Sequence, residues 1–131
     1  MKKLRGYIFS RSFAGERAPQ HVQNIVIRDY CKNLSFQYLL SASEYKMKNC
    51  FVVLNGLVSK LSSIDGIVAY SIFQLPESRS ERENILKKII NKKKSIHFAV
   101  EKIKVSKLNE IKRVNNIWKI KKTLKNCISE F

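Results

Sequence analysis

Apolar residues along this chain fall into short continuous runs that alternate with stretches of helical spacing. Four runs have the length of buried strands: residues 4–9, residues 36–41, the run that follows Asp65-Gly66, and residues 96–100. Between and after them, apolar positions recur at i, i+3 and i+4, which predicts helices over residues 19–33, 48–62, 78–94 and 106–128. Strand and helix therefore alternate throughout the chain.

Several residues mark where these helices begin and end. Pro19 suits a first helical turn because its missing N–H is not needed there. Ser78 with Glu81 has the spacing of a capping box at the start of the third helix. Lysines 92 to 94 suit the carboxyl end of the same helix, where the helix dipole is negative. On the first helix we expect the face containing Val22, Ile25 and Val26 to be buried, widened by Ile27 and Cys31.

The alternation predicts an α/β fold, a three-layer sandwich with a mainly parallel four-stranded sheet and right-handed crossovers. At 131 residues the chain is expected to form a single domain over 1–131, with a core over 4–103 and an amphipathic C-terminal helix over about 106–128. In such a fold, ligands bind in a crevice over the carboxyl ends of the strands.

Composition narrows the class of protein. No apolar stretch approaches the ~20 residues of a membrane span, and no signal-peptide cleavage pattern follows the first residues, so we expect a cytoplasmic protein. Cys31, Cys50 and Cys127 are odd in number and lack metal-binding spacing, which favours buried thiols over a disulfide or a zinc site. We expect no metal, and the lack of a glycine-rich phosphate loop argues against a nucleotide cofactor.

The chain is strongly basic, with a net charge of +16 and a pI near 10.0. Fourteen Lys or Arg residues against three Glu follow from Lys87 onward, giving +11 for this part of the chain. Such charge is compatible with nucleic-acid binding through phosphate contacts, and it is also common on solvated lysine-rich faces. Nucleic acid is therefore a possible partner that charge alone does not favour.

Polar side chains follow the first three strands where each one ends. They are Ser10, Arg11, Ser12, Glu16 and Arg17 after the first, Ser41, Ser43, Glu44 and Tyr45 after the second, and Ser71, Gln74, Glu77, Ser78 and Arg79 after the third. Because parallel strands end at one edge, we expect these groups to converge there. Arginines beside the helix start at Pro19-Gln20-His21 suit an anion such as a phosphate or carboxylate.

Hydrolysis is a weaker interpretation of the same residues. Ser10 or Ser12 could be combined with His21 and Glu16 or Glu44 into a Ser-His-acid triad, but no G-x-S-x-G nucleophile elbow supports it. His97 alternates inside the fourth strand, where we expect an interior residue.

Two stretches resemble the catalytic domain of serine recombinases of the resolvase type: residues 7–12 with the helix after them, and residues 64–75. In that family a strand reading Y-x-R-V-S carries the nucleophilic serine, and a later strand ends in an L-D-R-L-x-R turn. Here Phe9 replaces the first arginine, Arg11 stands at the serine position, and Phe73-Gln74-Leu75 lacks the later arginine. The resemblance spans about residues 4–103 and implies a resolvase-like, flavodoxin-type topology.

The chain also resembles the sporadic carbohydrate cluster family, found among bacterial genes for surface-polysaccharide synthesis. The runs that carry this likeness are residues 5–11, 15–24, 38–45 and 65–76, continuing through residues 98–101. The resemblance implies a role beside sugar-modifying and glycosyl-transfer enzymes.

Three hypotheses follow from the sequence, which leaves open whether any reaction is catalysed. The first is surface-carbohydrate biosynthesis with an anionic sugar or sugar phosphate at the strand ends. Arg11, Arg17 and Gln20 would hold the anion, Glu44 and Gln74 would meet sugar hydroxyls, and Ser10, Ser12 or Ser71 would carry any chemistry. The second is a catalytically degenerate recombinase-like module that binds nucleic acid or regulates. The third is a homo-oligomer, or a partner of a neighbouring enzyme, formed through the C-terminal helix.

Overall fold

A computed structural model describes residues 2–13 and 18–129, with side chains of the last helix as far as Thr123. The strands of this part of the chain are β1 (Lys3–Ile8), β2 (Gln37–Ser43), β3 (Gly66–Ala69), β4 (Ser95–Phe98) and β5 (Ile103–Val105). The helices are α1 (Gln20–Asn33), α2 (Val52–Ser59), α3 (Arg79–Asn91) and α4 (Leu108–Ser129). Short 3₁₀ turns cover Leu61–Ser63 and Ile72–Gln74.

The strands form one sheet in the order β2-β1-β3-β4-β5, and every neighbouring pair is parallel except β4 with β5. The expected α/β fold with a mainly parallel sheet is confirmed. The fifth strand was not predicted, because it is three residues long and follows β4 through a tight reversal in which Lys102 adopts a φ of 56°. So short a strand gives too few positions for a period to be recognised.

Helices cover both faces of the sheet, so the chain forms the predicted three layers. On one face α1 packs alone through Ile27 and Cys31 against Leu4, Ile8 and Val68. On the other face α2, α3 and α4 cover a larger core, whose buried members include Tyr7, Leu54, Ile67, Leu86, Ile89, Phe98 and Val114.

Cys31 is a buried thiol, as expected, and burial raises its pKa to about 11. Cys50 is half-buried, and the side chain of Cys127 lies outside the described residues.

Two local predictions were wrong. The second helix begins at Val52 rather than near residue 48, because residues 45–51 form a loop held by side chains described below. Ser78 precedes α3 but makes no capping hydrogen bond; the capping box of this region is formed instead by Ser71 and Gln74 at the 3₁₀ turn after β3. Before α4, the Glu110 carboxylate accepts the backbone N–H groups of Ser106 and Lys107, which is one half of a capping box.

None of the helices in the described part of the chain combines the length and hydrophobicity that a membrane span requires. Within the same residues, no group of three or more His, Cys, Asp or Glu side chains is arranged to hold a metal ion.

Candidate functional site

The segments that follow β2, β1 and β3 meet at the carboxyl-end edge of the sheet. Glu44 comes directly after β2, Ser10 and Arg11 come shortly after β1, and Ser71 and Gln74 belong to the turn after β3. The parallel pairing of β1 with both neighbours places these residues along one edge, as the sequence predicted.

Glu44 is buried, and its carboxylate lies at the amino end of α2. Its oxygens accept hydrogen bonds from the backbone N–H groups of Val53 and Leu54, both at 3.1 Å, and from the Tyr7 hydroxyl at 2.9 Å. A carboxylate at this position satisfies helix N–H groups that have no partner within the helix and is favoured by the helix dipole. Burial, and then the nearby Glu44 charge, raise the pKa of Tyr7, so its hydroxyl remains a proton donor to Glu44.

Arg11 holds the loop that separates Glu44 from α2. Its guanidinium donates hydrogen bonds to the carbonyls of Tyr45 at 2.7 Å, Met47 at 2.9 Å and Cys50 at 3.0 Å. The same group stacks on Phe9, with 4.3 Å between its central carbon and the ring centroid. The three carbonyls therefore use most of the five N–H donors of the guanidinium, and the Phe9 ring covers one face of its plane.

The serines after β1 differ in environment. The Ser10 hydroxyl donates to the Glu44 carbonyl oxygen at 2.9 Å, which joins β1 to the start of the same loop. Ser12 is exposed. His21 is also exposed, and among the described residues no hydrogen bond joins it to Ser10 or Ser12, so neither serine is paired with this histidine.

Gln74 and Gln23 form a buried amide pair between β1, α1 and the turn after β3. The Gln74 Nε2 donates to the Gln23 Oε1 at 2.7 Å, and Gln23 in turn exchanges two hydrogen bonds with the backbone of Phe9, both at 2.9 Å. The Oε1 of Gln74 accepts the N–H of Tyr70 at 2.9 Å. The amide groups therefore complete the backbone hydrogen bonding where the strands stop.

The sequence analysis did not identify Gln23, because it predicted a buried face of α1 that contains Val22 and Val26, each one position before a residue that is buried. The fully buried positions are Gln23, Ile27 and Cys31, whereas Ile25 is 61% exposed. The available signal was the i, i+4, i+8 spacing of these three residues, in which a polar glutamine occupies an apolar stripe.

Ser71 is buried beside Glu101, which follows β4. Its hydroxyl donates to Glu101 Oε2 at 2.8 Å and accepts the N–H of Phe73 at 3.2 Å. Glu101 Oε1 accepts the N–H of Ile72 at 2.9 Å. The Ser71 hydroxyl is thus used in holding the turn after β3.

Of the remaining residues predicted to hold the anion, only Gln20 is described. Gln20 is exposed at the start of α1, and its amide donates to the Ser43 hydroxyl at the end of β2. Arg17 and Glu16 lie outside the described residues. In the part of the chain that the structure describes, every buried side-chain nitrogen and oxygen has a hydrogen-bond partner.

His97 lies away from this edge, under α1, as an interior residue of β4. Its Nδ1 is 2.7 Å from the Tyr30 hydroxyl, and its Nε2 is 3.1 Å from the Ser95 hydroxyl. Burial, and then the positive charges of Lys104 and Lys2, lower its pKa from 6.5 to about 4. The imidazole is therefore neutral near pH 7.

Comparison with solved structures finds this architecture in site-specific recombinases. The N-terminal catalytic domain of TP901-1 integrase matches with a TM-score of 0.61 at 14% identity, over 96% of this chain and 97% of that one. A resolvase family site-specific recombinase from Streptococcus pneumoniae matches with a TM-score of 0.64 at 9% identity, over 97% of each chain.

No protein-family model matches the chain, and no curated protein matches its sequence. The comparisons give no support to the expected likeness to the sporadic carbohydrate cluster family. At these identities the two solved structures establish the fold alone. The chain has the α/β fold of resolvase-type catalytic domains.

Proposed function

We propose that this protein is a recombinase-like nucleic-acid-binding module that does not carry out strand transfer. The observation that carries the proposal is the state of Ser10 and Arg11 at the end of β1. The sequence resemblance places the nucleophile at Arg11, or at Ser10 or Ser12 if the loop is shifted, and it has Phe9 in place of the first family arginine. The side chains of both Ser10 and Arg11 are hydrogen-bonded to backbone carbonyls of the loop before α2.

Attack of a hydroxyl on a phosphodiester needs fixed positive charge beside the phosphate, because negative charge builds up there in the transition state. Arg11 directly follows Ser10 in the sequence, and its guanidinium donates to the carbonyls of Tyr45, Met47 and Cys50. Releasing it would remove its three hydrogen bonds to the loop and leave those of Glu44, at the start of the loop, to join it to this end of β1. This argues for binding without cleavage.

Net charge supports the choice of partner. A chain of 131 residues with a net charge of +16 attracts polyanions at long range, and the solved structures with this fold include an integrase domain and a site-specific recombinase, which favours nucleic acid as the polyanion.

Fluorescence anisotropy with a labelled duplex, together with a denaturing gel, tests the proposal. We expect affinity to fall at least about 100-fold from about 50 to about 200 mM salt, as four or more phosphate contacts imply. We expect no covalent protein–DNA adduct on the gel. Absence of binding to both DNA and RNA would overturn the binding proposal, and an adduct that disappears in Ser10→Ala would overturn the claim that strand transfer is lost.

The carbohydrate hypothesis rests on the sequence resemblance alone. Three residues expected to hold the sugar, Arg11, Glu44 and Gln74, already bond protein groups. A thermal-shift panel of nucleotide sugars and sugar phosphates separates the two functions: our proposal expects no shift in melting temperature, and a saturable shift would favour the sugar.

A further inference from the structure

The amino-end edge of the sheet, opposite the site described above, gathers lysines from distant parts of the chain. The parallel strands begin at this edge, α1, α2 and α3 end at it, and α4 starts from it after β5. We call the lysines at these beginnings and ends the lysine rim: Lys2, Lys3, Lys32, Lys60, Lys92, Lys93, Lys94 and Lys107. All of them are exposed except Lys94, which is half-buried.

The carboxylates near the lysine rim are occupied by other groups. Asp65 Oδ2 accepts the backbone N–H of Lys3 at 2.7 Å, and Glu110 Oε1 accepts the N–H groups at the start of α4. Asp29, one turn before the end of α1, accepts the Asn33 amide at 3.3 Å. Among the described residues no carboxylate is within ion-pair distance of a rim lysine, and the eight lysines outnumber the three nearby carboxylates, so the rim has a net positive charge.

Helix stability accounts for part of the rim only. Lys92 donates to the Val58 carbonyl near the end of α2, and Lys32 lies in the last turn of α1, where a cation is favoured by the helix dipole. Lys2 and Lys3, by contrast, lie at the start of a strand. Lys107 immediately precedes the amino end of α4, where the dipole disfavours positive charge. These three charges serve no helix.

The dimensions of the rim suit a duplex. Five strands spaced about 4.8 Å apart give an edge of roughly 19 Å, which extended lysine side chains widen further. A duplex carries one charge per about 1.7 Å of its axis, so several phosphates face an edge of this length.

The chemistry of the rim points to the phosphate backbone rather than to bases. Lysine lacks the planar fork with which arginine reads guanine, so the charges of the rim suit phosphate oxygens. Phe36 directly precedes β2 at the same edge. Its ring packs against His97, with 5.0 Å between the ring centroids, and this contact argues against a role in stacking on bases.

We infer that the lysine rim binds the phosphate backbone of duplex nucleic acid without sequence preference. This inference rests on the proposed function and adds where binding occurs: on the edge opposite Ser10 and Arg11.

Two variants with the same loss of charge test the location. In the rim variant, Lys2, Lys60, Lys93 and Lys94 are each changed to Gln. In the control variant, Lys46, Lys48, Lys119 and Lys122 are changed to Gln; all four are exposed and lie at or toward the carboxyl-end edge. Each is titrated into two unrelated 30-base-pair duplexes across a salt series, with circular dichroism to check folding.

We expect the rim variant to lose affinity at least about 30-fold on both duplexes and to show a log–log salt slope less steep by about 3 to 4. The control variant should lose less than about 5-fold. Equal loss in both variants, or greater loss in the control, would overturn the rim as the binding surface while leaving the proposed function intact. Failure of the unmodified protein to bind any nucleic acid would overturn the proposed function itself. Binding to anionic phosphatidylserine vesicles but not to duplex would assign the rim to a membrane surface instead and overturn the inference.

Discussion

The two edges of the sheet use their polar residues in opposite ways. At the carboxyl-end edge, Glu44, Arg11 and Gln74 are turned inward and complete the hydrogen bonding of loop backbone. At the amino-end edge, seven of the eight lysines of the rim are exposed, and none of the eight forms an ion pair with a described residue. Polar residues at strand ends can therefore be structural in a fold whose strand ends usually bind ligands, while exposed positive charge collects at the other edge.

The largest expected effect is at Glu44. Glu44→Ala removes the acceptor for two helix N–H groups and a buried tyrosine hydroxyl, so we expect a loss of about 3 kcal/mol in the free energy of unfolding. Glu44→Gln keeps one acceptor oxygen and should cost about half as much. Urea denaturation measures both, and a loss below about 1 kcal/mol for Glu44→Ala would contradict a structural role for this edge.

The buried His97 gives the stability a pH dependence. Because its folded pKa of about 4 lies below its unfolded value of 6.5, the unfolded chain binds more protons between these limits. Its contribution is complete above pH 6.5 and is lost as the pH falls to about 4, by up to roughly 3 kcal/mol. Urea denaturation between pH 7 and pH 4 should show this fall, and His97→Gln should flatten it. An equal slope in both proteins would contradict the assignment.

Gly66, at the amino-end edge, is tightly packed, whereas Gly56 in α2 has open space beside it. A Cβ on Gly66 would lie 2.2 Å from the Ser95 carbonyl oxygen, whereas one on Gly56 in α2 would meet nothing within 4 Å. Gly66→Ala should therefore destabilise by about 2 kcal/mol, and Gly56→Ala should stabilise by about 1 kcal/mol. Thermal melts of the pair give the comparison, and shifts of the same sign would contradict it.

A smaller effect is expected at Arg11. Arg11→Lys keeps the charge but loses the planar group that reaches three carbonyls and stacks on Phe9, so we expect a cost of about 1 kcal/mol. Hydrogen exchange should also rise in residues 45–51. Lys93→Gln serves as the contrast, because an exposed charge without an ion pair should change the stability by less than about 0.5 kcal/mol. Similar costs for the two variants would remove the contrast between the edges.

The sequence predicted the fold because the strand runs and helical periods are local and strong. It also predicted that Ser10, Glu44 and Gln74 would lie along one edge of the sheet, since parallel strands end together. It did not reveal their partners, because those are backbone groups placed by loop geometry. Gln23 shows the same limit. A search for apolar residues at helical spacing passes over a glutamine, whereas the fold buries this one against the Phe9 backbone.

The lysine rim could not be read from the sequence either. There the positive charge is concentrated after Lys87, but the fold joins Lys2, Lys32 and Lys60 to lysines 92 to 94 at one edge. Which lysines become neighbours on the surface depends on the order of the strands in the sheet, and the positions of the lysines in the sequence do not give that order.

Lysine footprinting tests the division between the two edges most directly. The protein is acetylated with and without a 30-base-pair duplex, and modification of each lysine is measured by mass spectrometry. The account predicts that DNA protects Lys2, Lys60, Lys93 and Lys107, while Lys46, Lys48 and Lys119 react as in the free protein. Protection of Lys46 and Lys48 with the rim left reactive would contradict it.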